Sequence, residues 1–385
     1  MKIFIFVFLA TLFIILFFLI ALFHPQTSIR TQNITSKISL PEGFKIEIFA
    51  DNLGGSSIST PGPNPGPRMM LFKDNVLYVS VPNQGRVIAL PDENRDNKPD
   101  KVINFMENLN KPHGLDFFND SFYIAEENRI IKVKDVDKDL KADMNTLEVL
   151  TDLPSGGGHF TRTIKIINSF LFVSTGSSCN VCYETDERRA AISICDSEGK
   201  NCRVFARGLR NSVGFVYDNI TKSIWATDNG RDLLGDDLPP DEINVIKDDK
   251  DYGWPICYGN KIHDTEFDKN VYVRDPCEDT EPSTVDLQAH SAPLGLAFNY
   301  GNNFPQDYYG NLFVAYHGSW NRKVPTGYKI VRIDTNTKTV TDFATGWLDR
   351  TNVLGRPVDI IFKDDGSMLV SDDNAGIIYR IYYQQ

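Results

Sequence analysis

The chain has 385 residues, with 51 Asp and Glu against 40 Lys and Arg, six His and a formal net charge of −11. That acidic balance, with no basic stripe along the chain, excludes a surface built for nucleic acid.

In chain order, residues 3–23 form an uncharged apolar run preceded only by Lys2. That length spans a bilayer as a helix. No small-residue cleavage signature follows it, so residues 1–23 read as an uncleaved signal anchor in preference to a cleaved signal peptide. Either reading exports the rest, and the first predicts membrane contact through residues 3–23. Residues 24–40 are polar and read as a tether. The stretch GFKIEIFA (43–50) alternates like a strand, and the loop GGSSISTPGPNPGP (54–67) is too rich in Gly, Ser and Pro for regular structure.

From residue 41 to 385 the chain is organised by six copies of one pattern, an apolar or aromatic triplet closed by Ser, Thr or Ala. They are LYVS (77–80), FYIA (122–125), LFVS (171–174), IWAT (224–227), LFVA (312–315) and MLVS (368–371), at steps of 45, 49, 53, 88 and 56 residues. A period near 50 built from β-prone runs predicts an all-β, six-bladed β-propeller with one copy per blade. A propeller closes by pairing strands from both termini, so GFKIEIFA is expected beside GIIYRIYY (376–383).

A second run precedes each copy, and in the first three blades Arg68, His113 and Arg162 each lie nine residues ahead of it. If these runs are the innermost strands, Arg68, His113, Arg162, Arg210 and Arg356 converge on the channel axis. Each cation then either pairs with an acid of a neighbouring blade or joins a socket for a multiply charged anion. Five in register in an acidic chain favour the socket.

Six Cys in an exported chain predict three disulfides, most simply between near neighbours: Cys179 with Cys182, Cys195 with Cys202, Cys257 with Cys277. A zinc site on the first four is the competing reading. Two segments match D-x-[DN]-x-D-x-x-x-D, namely Asp92, Asn94, Asp96, Asp100 and Asp135, Asp137, Asp139, Asp143. Oxygens at alternate positions suit calcium, and solvated acidic turns compete with that reading. The fourth blade carries DNGRD (228–232), where a glycine turn can aim consecutive carbonyls at a cation.

Together GGGHFTR (156–162), GLRN (208–211), DNGRD with DEIN (241–244), YGWP (252–255), YHGSWNR (316–322), GRPVDIIF (355–362) and SDDNAGIIYRI (371–381) are similar to the soluble quinoprotein glucose and sorbosone dehydrogenase family. The resemblance runs from about residue 40 to 385. It implies a propeller that binds pyrroloquinoline quinone (PQQ) and calcium on its axis and oxidises a sugar or related alcohol or aldehyde, passing electrons to a redox protein or a membrane quinone. It casts His159 as the general base. Arg210, Asn211 and Arg356 become cofactor contacts, and the Gly230 and Arg231 carbonyls calcium ligands. The Lys of the glucose-oxidising members is missing from the fifth blade. That points to the sorbosone-like branch, with His317 or Arg322 in its stead. A calcium-dependent lactonase-like hydrolase and a propeller that only binds remain the alternatives; the first would need acidic side chains on the axis.

Overall fold

The computed structural model describes residues 34–54 and 65–384. The apolar run 3–23, most of the tether and residues 55–64 of the Gly/Pro loop lie outside the described residues. Among the described residues no helix is long and apolar enough to cross a membrane.

Six sheets form the six blades. Blade 1 has strands Met70–Lys73, Val76–Val81, Arg86–Pro91 and Ile103–Met106, each antiparallel to the next; blade 2 has Leu115–Phe118, Ser121–Ala125, Arg129–Val133 and Glu148–Asp152. Blades 3 to 5 begin at Arg162–Ile167, Phe215–Asp218 and Pro293–Phe298. The last blade closes the ring. Pro357–Phe362, Met368–Asp372 and Ile377–Tyr383 come from the C-terminus, and Phe44–Ala50 adds the outer strand, with Phe44 opposite Tyr383 and Ile48 opposite Tyr379. This is the expected pairing of the two ends, and it leaves no open seam between first and last blade.

Every copy of the repeated pattern is the second strand of its blade, and the physical reason lies in what flanks it. Along such a strand alternate side chains point to opposite faces, and here both faces are covered. In blade 1, Leu77 and Val79 pack with Leu369 and Ile378 of blade 6, whereas Tyr78 packs with Phe122 and Ile124 of blade 2. The same arrangement repeats at the other four blade junctions. A strand buried on both sides reads as an unbroken apolar run, as these do.

The first strands touch one another in a closed circle around the axis. Their approach is close enough to exclude a β-carbon: one built on Gly114 would stand 2.6 Å from the Arg162 carbonyl oxygen, and one on Gly214 2.1 Å from that of Leu294. The long fourth step is an insertion after Asp241–Ile246. It carries the Cys257–Cys277 disulfide and a small hairpin, Cys257–Tyr258 with Ile262–His263. Cys179–Cys182 and Cys195–Cys202 are also joined. No cysteine among the described residues is free. The zinc reading fails because all four thiolates it needs are spent in disulfides. Residues 34–40 lie against the domain, with Ile34 3 % exposed and Ser39 bridged to Thr345.

Candidate active site

Because successive strands alternate in direction, residues leading into a first strand and residues following a second strand meet at one face. Acids at the second position class hold the first class in place. Asp228, directly after IWAT, accepts the backbone N–H of Arg210 at 2.9 Å and of Asn211 at 2.6 Å, and Asp372, after MLVS, accepts that of Arg356 at 2.8 Å. Burial pushes the Asp372 carboxyl up to about 6 and that of Asp228 well above its ordinary value.

Around this face the predicted cations separate into three kinds. Arg68 of blade 1 is buried and bonded at 2.6 Å to Asp373 of blade 6, whose other oxygen accepts from His317 of blade 5 at 2.8 Å. For Arg68, pairing with an acid of the neighbouring blade is therefore what the structure has. Arg162 is fully buried, with its terminal nitrogens on the carbonyls of Pro154, His159 and Thr161, so it clamps the loop carrying His159 and leaves its buried Nε without a partner. Arg210 reaches the Asn180 side chain at 2.9 Å, Asp232 at 3.2 Å and the Asn229 and Gly230 carbonyls at 3.1 and 2.9 Å. Arg356 bonds the carbonyls of His317 and Gly318 and lies over the Tyr328 ring.

His113 is fully buried, and burial followed by the Arg68 charge hold its imidazole well below its ordinary value. Burial also lowers His317, against the pull of Asp373. Blade 5 thus contributes an imidazole bonded to Asp373 where a cation was expected. Arg322 is bonded to the Ala289 carbonyl at 3.2 Å and to Asp237 at 3.0 Å.

Of the two carbonyls expected to hold calcium, that of Gly230 faces Arg210. Gly230 offers its oxygen to Arg210 at 2.9 Å, so an ion there would face a guanidinium at contact distance. The Arg231 side chain turns to Asp264 at 2.8 Å.

His159 has the geometry of a base. Its Nδ1 donates to the Ser177 carbonyl at 2.8 Å, which fixes the tautomer and leaves the lone pair on Nε2. Nε2 takes no hydrogen bond among the described residues. Burial, then the Arg210 charge, lower the imidazole to about 4, so it is neutral and able to accept a proton across the physiological range. His159 comes close to Asn211 because Gly176 separates them without a side chain: a β-carbon there would stand 2.5 Å from Asn211 Oδ1 and 2.8 Å from His159 Cβ. Gly176→Ala is expected to force them apart at a stability cost of about 1–3 kcal/mol, typical of overpacking. Turnover should fall at least about tenfold by the 1 Å rule for misplaced groups; kinetics beside a thermal melt check both.

The sequence reading found the basic residues and passed over their partners. Asp373, Asn180, Asp232, Ser177 and Gly176 were not singled out, although an acid directly after FYIA, IWAT and MLVS is visible as Glu126, Asp228 and Asp372.

A family model described as TrAA12-like matches residues 65–384. The chain belongs to the TrAA12-like family. A protein of Borreliella burgdorferi, described as uncharacterized, is 35 % identical to this TrAA12-like chain over 93 % of it and 94 % of the relative. A PQQ-dependent pyranose dehydrogenase of Coprinopsis cinerea is 27 % identical over 58 % of the chain, which covers 39 % of that protein's length. The PQQ domain of pyranose dehydrogenase from Coprinopsis cinerea, in its holo form, superposes with a TM-score of 0.75 at 21 % identity, covering 90 % of this chain and 97 % of the other. That likeness establishes the propeller fold.

Proposed function

We propose that this chain is a PQQ-dependent oxidoreductase acting on a sugar or related alcohol or aldehyde, with His159 as the general base. The observation that carries it is the His159 imidazole, locked through Nδ1 on Ser177 with Nε2 unengaged, beside the Arg210–Asn211 pair.

The residues of the axis suit a planar polyanion. Arg68 Nε, His113 Nε2 and Asn211 Oδ1 are buried without partners, and such atoms are costly unless something meets them. Arg68, Arg210 and Arg356 would meet the cofactor's carboxylates, and Asn211 a ring heteroatom or carbonyl. PQQ, when bound, supplies the hydride acceptor. The protein's share is to hold the substrate carbon over it and to take the hydroxyl proton on His159 Nε2. Turnover would also call on an electron acceptor from outside the chain, a redox protein or a quinone. Kinship with a PQQ-dependent pyranose dehydrogenase supports the cofactor and the sugar class. Three disulfides support an oxidising, extracytoplasmic setting. A signal anchor over residues 1–23 is part of the same reading.

The test is to titrate PQQ into the purified chain, with and without calcium, and follow the absorption spectrum as aldoses are added. Bleaching of a bound quinone by a sugar is the expected result; a chain that takes up no quinone under either condition overturns the proposal. Arg210→Ala should weaken quinone binding about tenfold or more, since a charge-assisted contact is worth roughly 1.5–3 kcal/mol. Arg210→Lys, which keeps the charge, should lose less. Equal affinities in all three proteins would take Arg210 out of the socket.

A further inference from the structure

Two loops of the same build lie at the face opposite the candidate active site. One joins the third and fourth strands of blade 1 and the other those of blade 2, so both occupy one position in successive blades. In each, the first acid accepts through Oδ2 from the backbone five residues on: Asn97 to Asp92 at 3.2 Å, Leu140 to Asp135 at 3.1 Å. The last acid accepts from the second residue of the loop, Glu93 to Asp100 at 2.7 Å and Val136 to Asp143 at 2.6 Å. The fourth and sixth residues are left-handed in both, with φ of 58° and 67° at Arg95 and Asn97 and of 60° and 65° at Lys138 and Leu140.

Those bonds shape the loops and do not by themselves call for a ligand. The remaining oxygen does. Asp92 is 3 % exposed, and its Oδ1 is buried with no partner; Asp135 Oδ1, at the same place in blade 2, is likewise buried and unpartnered. A buried carboxylate oxygen left bare is costly, and here the omission occurs twice at equivalent atoms. In blade 2, oxygens of Asp135, Asp137 and Asp143 lie within 4.8 Å of one another. A single ion roughly 2.3–2.6 Å from each oxygen spans that separation.

We propose that the two loops opened by Asp92 and Asp135 each bind one calcium ion, the blade 2 loop more tightly. Ligands that are all oxygen, on a short and irregular turn, match calcium's tolerance of variable geometry; magnesium demands a tighter octahedron and zinc prefers nitrogen and sulfur. The ranking follows from charge. Blade 2 offers four carboxylates, and Lys141 reaches only Asp139, at 3.7 Å. Blade 1 replaces one carboxylate by Asn94, and Lys363 already stands 3.5 Å from Asp92 and 2.7 Å from Asn97. Their place opposite the site makes these ions structural: each ties down a third-to-fourth-strand turn.

Calcium titrated by calorimetry into the metal-stripped full-length chain, with no quinone present, tests this. The expected result is uptake at both loops below about 1 mM, the range of extracellular oxygen sites. Asp137→Asn and Asp96→Asn keep the shape and a hydrogen-bonding side chain but remove one charge, so each should weaken its own loop about tenfold or more and spare the other. Saturating calcium should also raise the melting temperature by about 5 °C in wild type, and less in the double variant. Calcium held near the quinone is untouched by either substitution, so the two kinds of site separate. No uptake at 1 mM, or an identical isotherm for wild type and the double variant, overturns the proposal.

Discussion

His159→Gln is expected to lower turnover about 10²–10⁴-fold, the usual contribution of general-base catalysis, while PQQ binds nearly as well as in wild type. Gln keeps a polar side chain of similar reach and offers no group that can take the hydroxyl proton. The pH profile makes the assignment sharper. The working form is the neutral imidazole, and burial with the Arg210 charge sets its value at about 4. Wild-type activity should therefore stay level from neutral pH downward and fall only as pH drops through that value. An anionic cofactor beside the imidazole moves this limb upward. The variant's residual rate should lack the limb. A Gln variant that turns over at the wild-type rate, or that keeps the same acid limb, would show that another group takes the proton.

Blade number and ring closure were readable from the chain because both depend on short-range pattern. A second strand buried on two faces has to be apolar at nearly every position, and Leu77, Tyr78 and Val79 of blade 1 show why. The disulfides were readable for a related reason, as near neighbours in sequence are also near in space. What the pattern could not convey is which atoms face each other across the ring. Arg162 shares its register with Arg68, yet its terminal nitrogens are held by three carbonyls of its own loop. Only the path of residues 154–161 decides that.

The surroundings of the Gly230 carbonyl were hidden for the same cause. A glycine turn can aim carbonyls at an ion, and this one aims a carbonyl at Arg210. His317 stands where a cation was wanted, but burial lowers it and it serves as a donor to Asp373. Electrostatics of this kind depends on burial and on contacts 20 to 305 residues apart in sequence, which spacing does not encode.

Asp373 carries the largest structural consequence that follows from those contacts. It is 4 % exposed and accepts from Arg68 of blade 1 and His317 of blade 5, so three blades meet on one carboxylate. Asp373→Ala removes the bonded counter-charge of the buried Arg68 guanidinium and leaves only Asp359 acting on it, and breaking a buried pair from one side costs about 3–5 kcal/mol. Chemical unfolding at neutral pH should register that loss, with Asp373→Asn, which still offers an oxygen to Arg68, losing less. The deficit has a pH sign. Burial raises the Asp373 carboxyl, but His317 and Arg68 together hold it below its ordinary 3.8. Its contribution is thus present above that value and lost as pH falls through the lower folded one, so wild type and Asp373→Ala should converge in strong acid. The variant also bears on the socket. An anionic cofactor that reaches Arg68 supplies the charge the alanine removed, and saturating PQQ should then raise the melting temperature of Asp373→Ala more than that of wild type. Equal increments would mean that Arg68 serves the blade junction alone, and a stability loss under about 1 kcal/mol, the level of an exposed pair, would mean that the junction does not depend on this carboxylate.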